Sequence, residues 1–176
     1  MKISRALMLA LLVMLAQNVA AQQTRFVSSR HSPLKQNGVI QPNEVVFSGK
    51  AQVVGSLEVV WEPGTESAPG YFRAVLRPDK ASLEILPHDS ERGPAREIWL
   101  RNTDLAIRSF LSPTQRKALM SSRSRHATGR IAVIISSYHT GVDCDQRGYN
   151  ALLVSVVHRP SNVVAGAPAH KSASGC

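Results

Sequence analysis

Aromatic side chains are scarce in this chain: two Trp, three Tyr and four Phe make up 5% of its 176 residues. With so few rings, Trp61 and Trp99 are expected to fill the core rather than to line a long stacking groove. Cysteine is rarer still, only Cys144 and Cys176, and neither belongs to a short-spaced pair of the kind zinc needs. Acidic residues are outnumbered 12 to 21 by Lys and Arg. There is no Gly-x-Ser-x-Gly elbow, no Gly-rich phosphate loop and no His-Glu-x-x-His pair. These absences remove the usual signatures of a serine hydrolase, a nucleotide enzyme and a zinc protease. No cofactor and no metal is implied.

What is present begins with an address. Lys2 and Arg5 precede eleven apolar residues, 6–16, and Val19-Ala20-Ala21 then supplies small side chains. A charged start, a short apolar stretch and a small-residue site make a secretory signal peptide, with cleavage expected after Ala21. A membrane-spanning helix needs about 20 apolar residues, more than this run has. The exported chain would lose two cations, so its formal charge falls from +9 to +7. Such an excess suits an anionic partner or simply keeps a small periplasmic or secreted protein soluble. In an oxidising compartment Cys144 and Cys176 are candidates for a disulfide, whose loop would contribute about 3–4 kcal/mol. Free thiols, or pairing with another chain, stay open on the count alone.

Four segments follow from composition: a signal peptide at 1–21, a polar extended leader at 22–43, a β-rich block at 44–159, and an Ala/Ser/Gly/Pro tail at 160–176 read as disordered. Within the block, β-branched runs at 44–47, 51–54 and 57–61 are punctuated by Gly49 and Gly55. That pattern predicts a long strand bent over a core. Further strands are expected at 71–76, at 81–86 from its period-2 alternation, at 97–101, at 129–135 and at 151–157. Residues 104–108 either extend the third of these or start a helical turn. Ser112-Pro113-Thr114-Gln115 is the best helix start, with Ser at the cap, Pro at the first helical position and Gln placed to reach back. Residues 139–150 read as a loop or hairpin crown. The order predicts a mainly β chain, a small closed or half-closed Greek-key barrel of OB-like type with one short helix.

Ala127-Thr128-Gly129-Arg130-Ile131, His139-Thr140-Gly141 and residues 151–156 together resemble the end of a family of small exported bacterial OB-like domains of unknown function. Earlier segments, Gly49-Lys50-Ala51 through Leu57 and Tyr71 through Leu76, extend the resemblance over about residues 45–157. It implies a fold and a compartment and no activity. The turn carries one His where the family pattern has several, which takes away any metal site.

The polar stretch 139–150 fails as a calcium loop, because Arg147 and Val154 stand where oxygen ligands are required. His139, Cys144 and His158 fail as a zinc set for want of a close pair. A thiol nucleophile at Cys144 with His139 or His158 as base is the enzymatic alternative, that of a small envelope hydrolase. Glu58, Glu84 and Glu97 fall on expected strands and read as exposed positions. The basic residues say more: Arg73, Arg77, Arg101, Arg116, Lys117, Arg123, Arg125 and Arg147, with His139, are the candidate binding residues. On an OB-like barrel, such cations beside an open Tyr71, Phe72 or Trp99 suit stacking with charge. The expectation is therefore an exported binding protein without catalytic activity. Its partner would be a protein, as for an inhibitor or immunity protein against a toxin or lytic enzyme, or an anionic envelope polymer. An exported OB-type nucleic-acid binder stands behind these, since export takes the chain away from cytoplasmic nucleic acid.

Overall fold

The computed structural model describes residues 26–27, 29, 31–41, 44–90, 93–121, 126–143, 146–160 and 163–165. In chain order the elements are β1 (Phe26–Val27), β2 (Lys35–Gln41), β3 (Glu44–Glu62), β4 (Tyr71–Pro78), α1 (Lys80–Ile85), β5 (His88–Asp89) and β6 (Ile98–Leu100). These are followed by α2 (Thr103–Phe110), α3 (Pro113–Ser121), β7 (His126–Asp143), β8 (Gln146–His158) and β9 (Val164–Ala165). The chain is mainly β, as its β-branched runs predict.

The 19-residue β3 organises everything else. Side chains alternate across a strand, so Ala51, Val53, Leu57 and Val59 turn to one side, where each is at most 1% exposed. Two glycines let so long a strand bend. Gly49 adopts φ +105°, which L side chains avoid, next to a register shift between Phe47 and Lys50. At Gly55 an added Cβ would lie 2.1 Å from the Arg77 carbonyl oxygen, so only hydrogen fits there.

Strands β2, β3, β4, β6, β8, β7 and β9 hydrogen-bond in that order, and β3 also pairs β7. The second contact joins β3, β4, β6, β8 and β7 into a ring of pairings. All are antiparallel except β6 with β8, where Trp99 lies opposite Asn150. The core fills the ring with Leu57, Leu76, Ile98, Leu100, Ile131, Val133 and Ile135, joined at one end by Phe47, Tyr138 and Tyr149. Each fully buried aliphatic side chain stabilises the fold by about 1.5–3 kcal/mol. Tyr138 keeps its hydroxyl satisfied by donating to the Pro87 carbonyl at 3.0 Å, and burial raises its pKa well above the ordinary value, with Tyr149 adding to the shift.

Three helices are present among the described residues where one was expected. The one at α3 starts as its sequence dictates: the Gln115 amide donates to Ser112 Oγ at 3.3 Å, and Gln115 Oε1 accepts from the Ser112 amide at 2.9 Å. α2 resolves the choice at 104–108 in favour of helix, burying Ala106, Ile107 and Phe110. α1 overturns the strand expected at 81–86. Asp79 caps it by accepting from the Ser82 amide at 3.0 Å, and the local cap outweighs a weak alternation. The Ser82 hydroxyl then grips β3, accepting from the Val54 amide at 2.9 Å and donating to its carbonyl at 3.1 Å.

The ends also differ from the expected division. Part of the segment read as a leader is built into the fold: β2 pairs β3, β1 pairs β5, and Leu34 is 1% exposed in the core. From the tail, Val164 and Ala165 pair with Thr128 and Ala127. The hairpin expected at 139–150 exists as the paired ends of β7 and β8.

Candidate functional site

Because β3 and β4 send alternate residues into the core, the others form an outer face. On β4 that face carries Tyr71, Arg73, Val75 and Arg77, in register with Glu62, Val60, Glu58 and Ser56 of β3. β6 is only three residues long and buries Ile98 and Leu100, so Trp99 must point outward. Trp99 lies opposite Val75 on one side and Asn150 on the other. Asn150 in turn pairs with His139. Of the large side chains left open among the described residues, Tyr71 at 58% and Trp99 at 46% are the aromatic ones, and they share this face. The Arg73 guanidinium sits 5.1 Å from the Trp99 ring centroid, a cation–π contact, while its Nη2 pairs with Glu62 at 2.7 Å.

Beside this platform lies a charged cluster that ties four strand regions together. Glu58, 5% exposed, takes His126 Nε2 on one oxygen at 2.8 Å and Arg77 Nη1 on the other. Arg77 continues to Glu97, with Nε and Nη2 donating to the same oxygen at 3.2 and 2.8 Å. Burial pushes the Glu58 carboxyl up, but hydrogen bonds and charge from Arg77 and then His126 bring it below its ordinary value. Burial likewise disfavours the Arg77 cation, and Glu58 and Glu97 more than restore it. Removing one member of a buried pair costs about 3–5 kcal/mol because its partner is left uncompensated. Releasing Arg77 to an incoming phosphate would meet part of that penalty.

The basic residues singled out from the sequence do not form one surface. Arg73 and Arg77 share the outer face, and Arg101 follows β6 and donates to the Ser137 carbonyl at 3.2 Å. Ser137 has φ +47° at a register shift of β7, a strained non-glycine position on the same side of the ring. His139 belongs to this band too, its Nδ1 2.8 Å from Glu44 Oε1. Arg116 and Lys117 lie apart on α3. Arg123, Arg125, Cys144, Cys176 and the side chain of Arg147 lie outside the described residues. Four extended residues, about 13 Å, separate His139 from Asp143, the last described residue before Cys144, and His158 stands at the far end of β8.

Two readings are corrected. Glu58 is buried and paired, not an exposed strand carboxylate, and Trp99 stands outside the core. The Trp99 position had a signal: Ile98 and Leu100 on either side claim the inward face of any strand. The Glu58 cluster had none, since its members come from positions 58, 77, 97 and 126 and meet only through strand pairing. Asn150 Oδ1, next to Trp99 in register, is buried with no hydrogen-bond partner among the described residues. Among them, too, there is no group of three or more His, Cys, Asp or Glu able to hold a metal ion. No helix among them is long and apolar enough to cross a membrane. No family model, no curated protein and no solved structure matches this chain.

Proposed function

We propose that this chain is an exported binding protein without catalytic activity, built on an OB-type barrel, whose partner docks on the outer face of β4 and β6. The barrel reading draws on the ring order: five strands, a parallel pair between the third and fifth, and helices entering before the fourth. On such barrels the face of the second and third strands is the usual binding surface, and here those strands are β4 and β6. The export reading draws on residues 1–21 alone.

One observation carries the function: Tyr71 and Trp99 stand open on that face with Arg73 between them. Trp, Tyr and Arg are the residue types that dominate binding energy when they are buried by a partner. The partner is a protein or an envelope polymer, and an inhibitor or immunity protein is the concrete form of the first. The test is to purify the mature chain from a periplasmic fraction with its ligand and repeat the purification with Trp99→Ala and Tyr71→Ala. Loss of the partner in both variants, with folding intact, is the expected result. Equal recovery with either variant would refute the docking face.

A further inference from the structure

From the ion pairing of this face we infer that its occupant is an uncharged polysaccharide chain, an inference that rests on the docking face proposed above. The chain as a whole is strongly basic, but the face is not. Arg73 is paired with Glu62, and Arg77 with Glu58 and Glu97. Arg101 is engaged with the Ser137 carbonyl, and His139 with Glu44. A polyanion gains affinity by displacing its counterions with protein cations. Arg73, Arg77 and Arg101 thus each already face a carboxylate or a carbonyl, so a phosphate or carboxylate chain would have to break those pairs and would then meet the released carboxylates.

The face instead presents two open rings set among polar groups. Tyr71 and Val75 are about 13 Å apart along β4, and Trp99 stands one strand over from Val75. Val75 itself is 1% exposed, so no continuous apolar patch joins the rings. A protein partner needs a desolvated apolar centre from which charged residues are depleted. Rings separated by Arg73 and its carboxylate fit a different ligand: a slender chain with apolar faces and a hydroxyl rim. A sugar ring stacks its C–H face on an aromatic side chain, while its hydroxyls accept hydrogen bonds from the Arg edges and donate to the Glu carboxylates.

The experiment is a titration of the mature, folded protein with uncharged oligosaccharides: cello-, malto- and chito-oligosaccharide series, followed by Trp fluorescence and calorimetry. Heparin and poly-dT serve as polyanion probes. The expected result is saturable binding of one uncharged series, changed less than about twofold between low and high salt. Trp99→Ala and Tyr71→Ala each weaken it about tenfold or more, and Trp99→Phe retains part of it. Binding of heparin or poly-dT alone, with steep salt dependence, overturns the inference, as does failure of every uncharged series. If a protein or polyanion is still held through Trp99 in that case, the docking face survives and only the ligand class falls. If Trp99→Ala and Tyr71→Ala alter no interaction at all, both fall.

Discussion

Glu58→Ala is the perturbation that most directly interrogates the outer-face cluster. It removes the acceptor of His126 Nε2 and one of the two carboxylates held by Arg77. His126 is 4% exposed at its side chain, so water cannot readily replace the lost acceptor. Arg77 is 28% exposed and keeps Glu97, which discounts the full buried-pair penalty. The expected loss is about 2–4 kcal/mol, measured by urea unfolding of the purified protein at neutral pH. Glu58→Gln preserves shape but sets an amide N–H against a donor, and should lose about 1–2 kcal/mol. Acid supplies an independent check. The Glu58 carboxyl is held below its ordinary value of 4.5 in the fold. Its contribution is therefore complete above that value and is lost as pH falls through the lower, folded one. Glu58→Gln has no such contribution to lose, so its stability should fall less steeply than the parent's below about pH 4.5. A Glu58→Ala protein within about 0.5 kcal/mol of the parent, or identical acid limbs for Glu58→Gln and parent, would refute the reasoning.

Other outcomes follow from the same geometry. Gly55→Ala drives a methyl into the Arg77 backbone and should destabilise by about 2–4 kcal/mol, seen as a lower urea midpoint; an unchanged midpoint would contradict the close approach. Ser82→Ala leaves the Val54 amide without its acceptor, while the Val54 carbonyl keeps the Asp79 amide at 2.9 Å, and should cost about 1–2 kcal/mol in the same assay. Ser112→Ala removes the α3 cap, with a loss of about 1 kcal/mol and a small drop in helical circular dichroism. Trp99→Ala should cost about 1–2 kcal/mol, from its half-buried ring and the contact with Arg73; a loss of about 3–5 kcal/mol would place Trp99 in the core after all.

What the sequence made legible was whatever is local. β-branched runs announced the strands, and Ser112 with Gln115 announced α3. Gly49 and Gly55 marked the places where β3 bends or is crowded. α1 was misread because Leu83 and Ile85 satisfy a strand period over too few residues, while the deciding cap at Asp79 lies just outside the run. β2 was missed because Lys35, Gln36 and Asn37 carry no apolar alternation; it is held by pairing with β3. The Glu58 cluster is non-local. Nothing between positions 58 and 126 states that they will be neighbours until β3 and β7 are aligned.

That alignment also sets a timetable. β3 is complete by Glu62, yet its long partner begins at His126, so one flank of an apolar 19-residue strand waits while some sixty more residues emerge. Closing so wide a loop is entropically slow, and an open strand edge invites pairing with other chains. The slowest step in assembly should therefore be the seam between β3 and β7. A truncation ending before His126 should accumulate as aggregate rather than as a folded fragment.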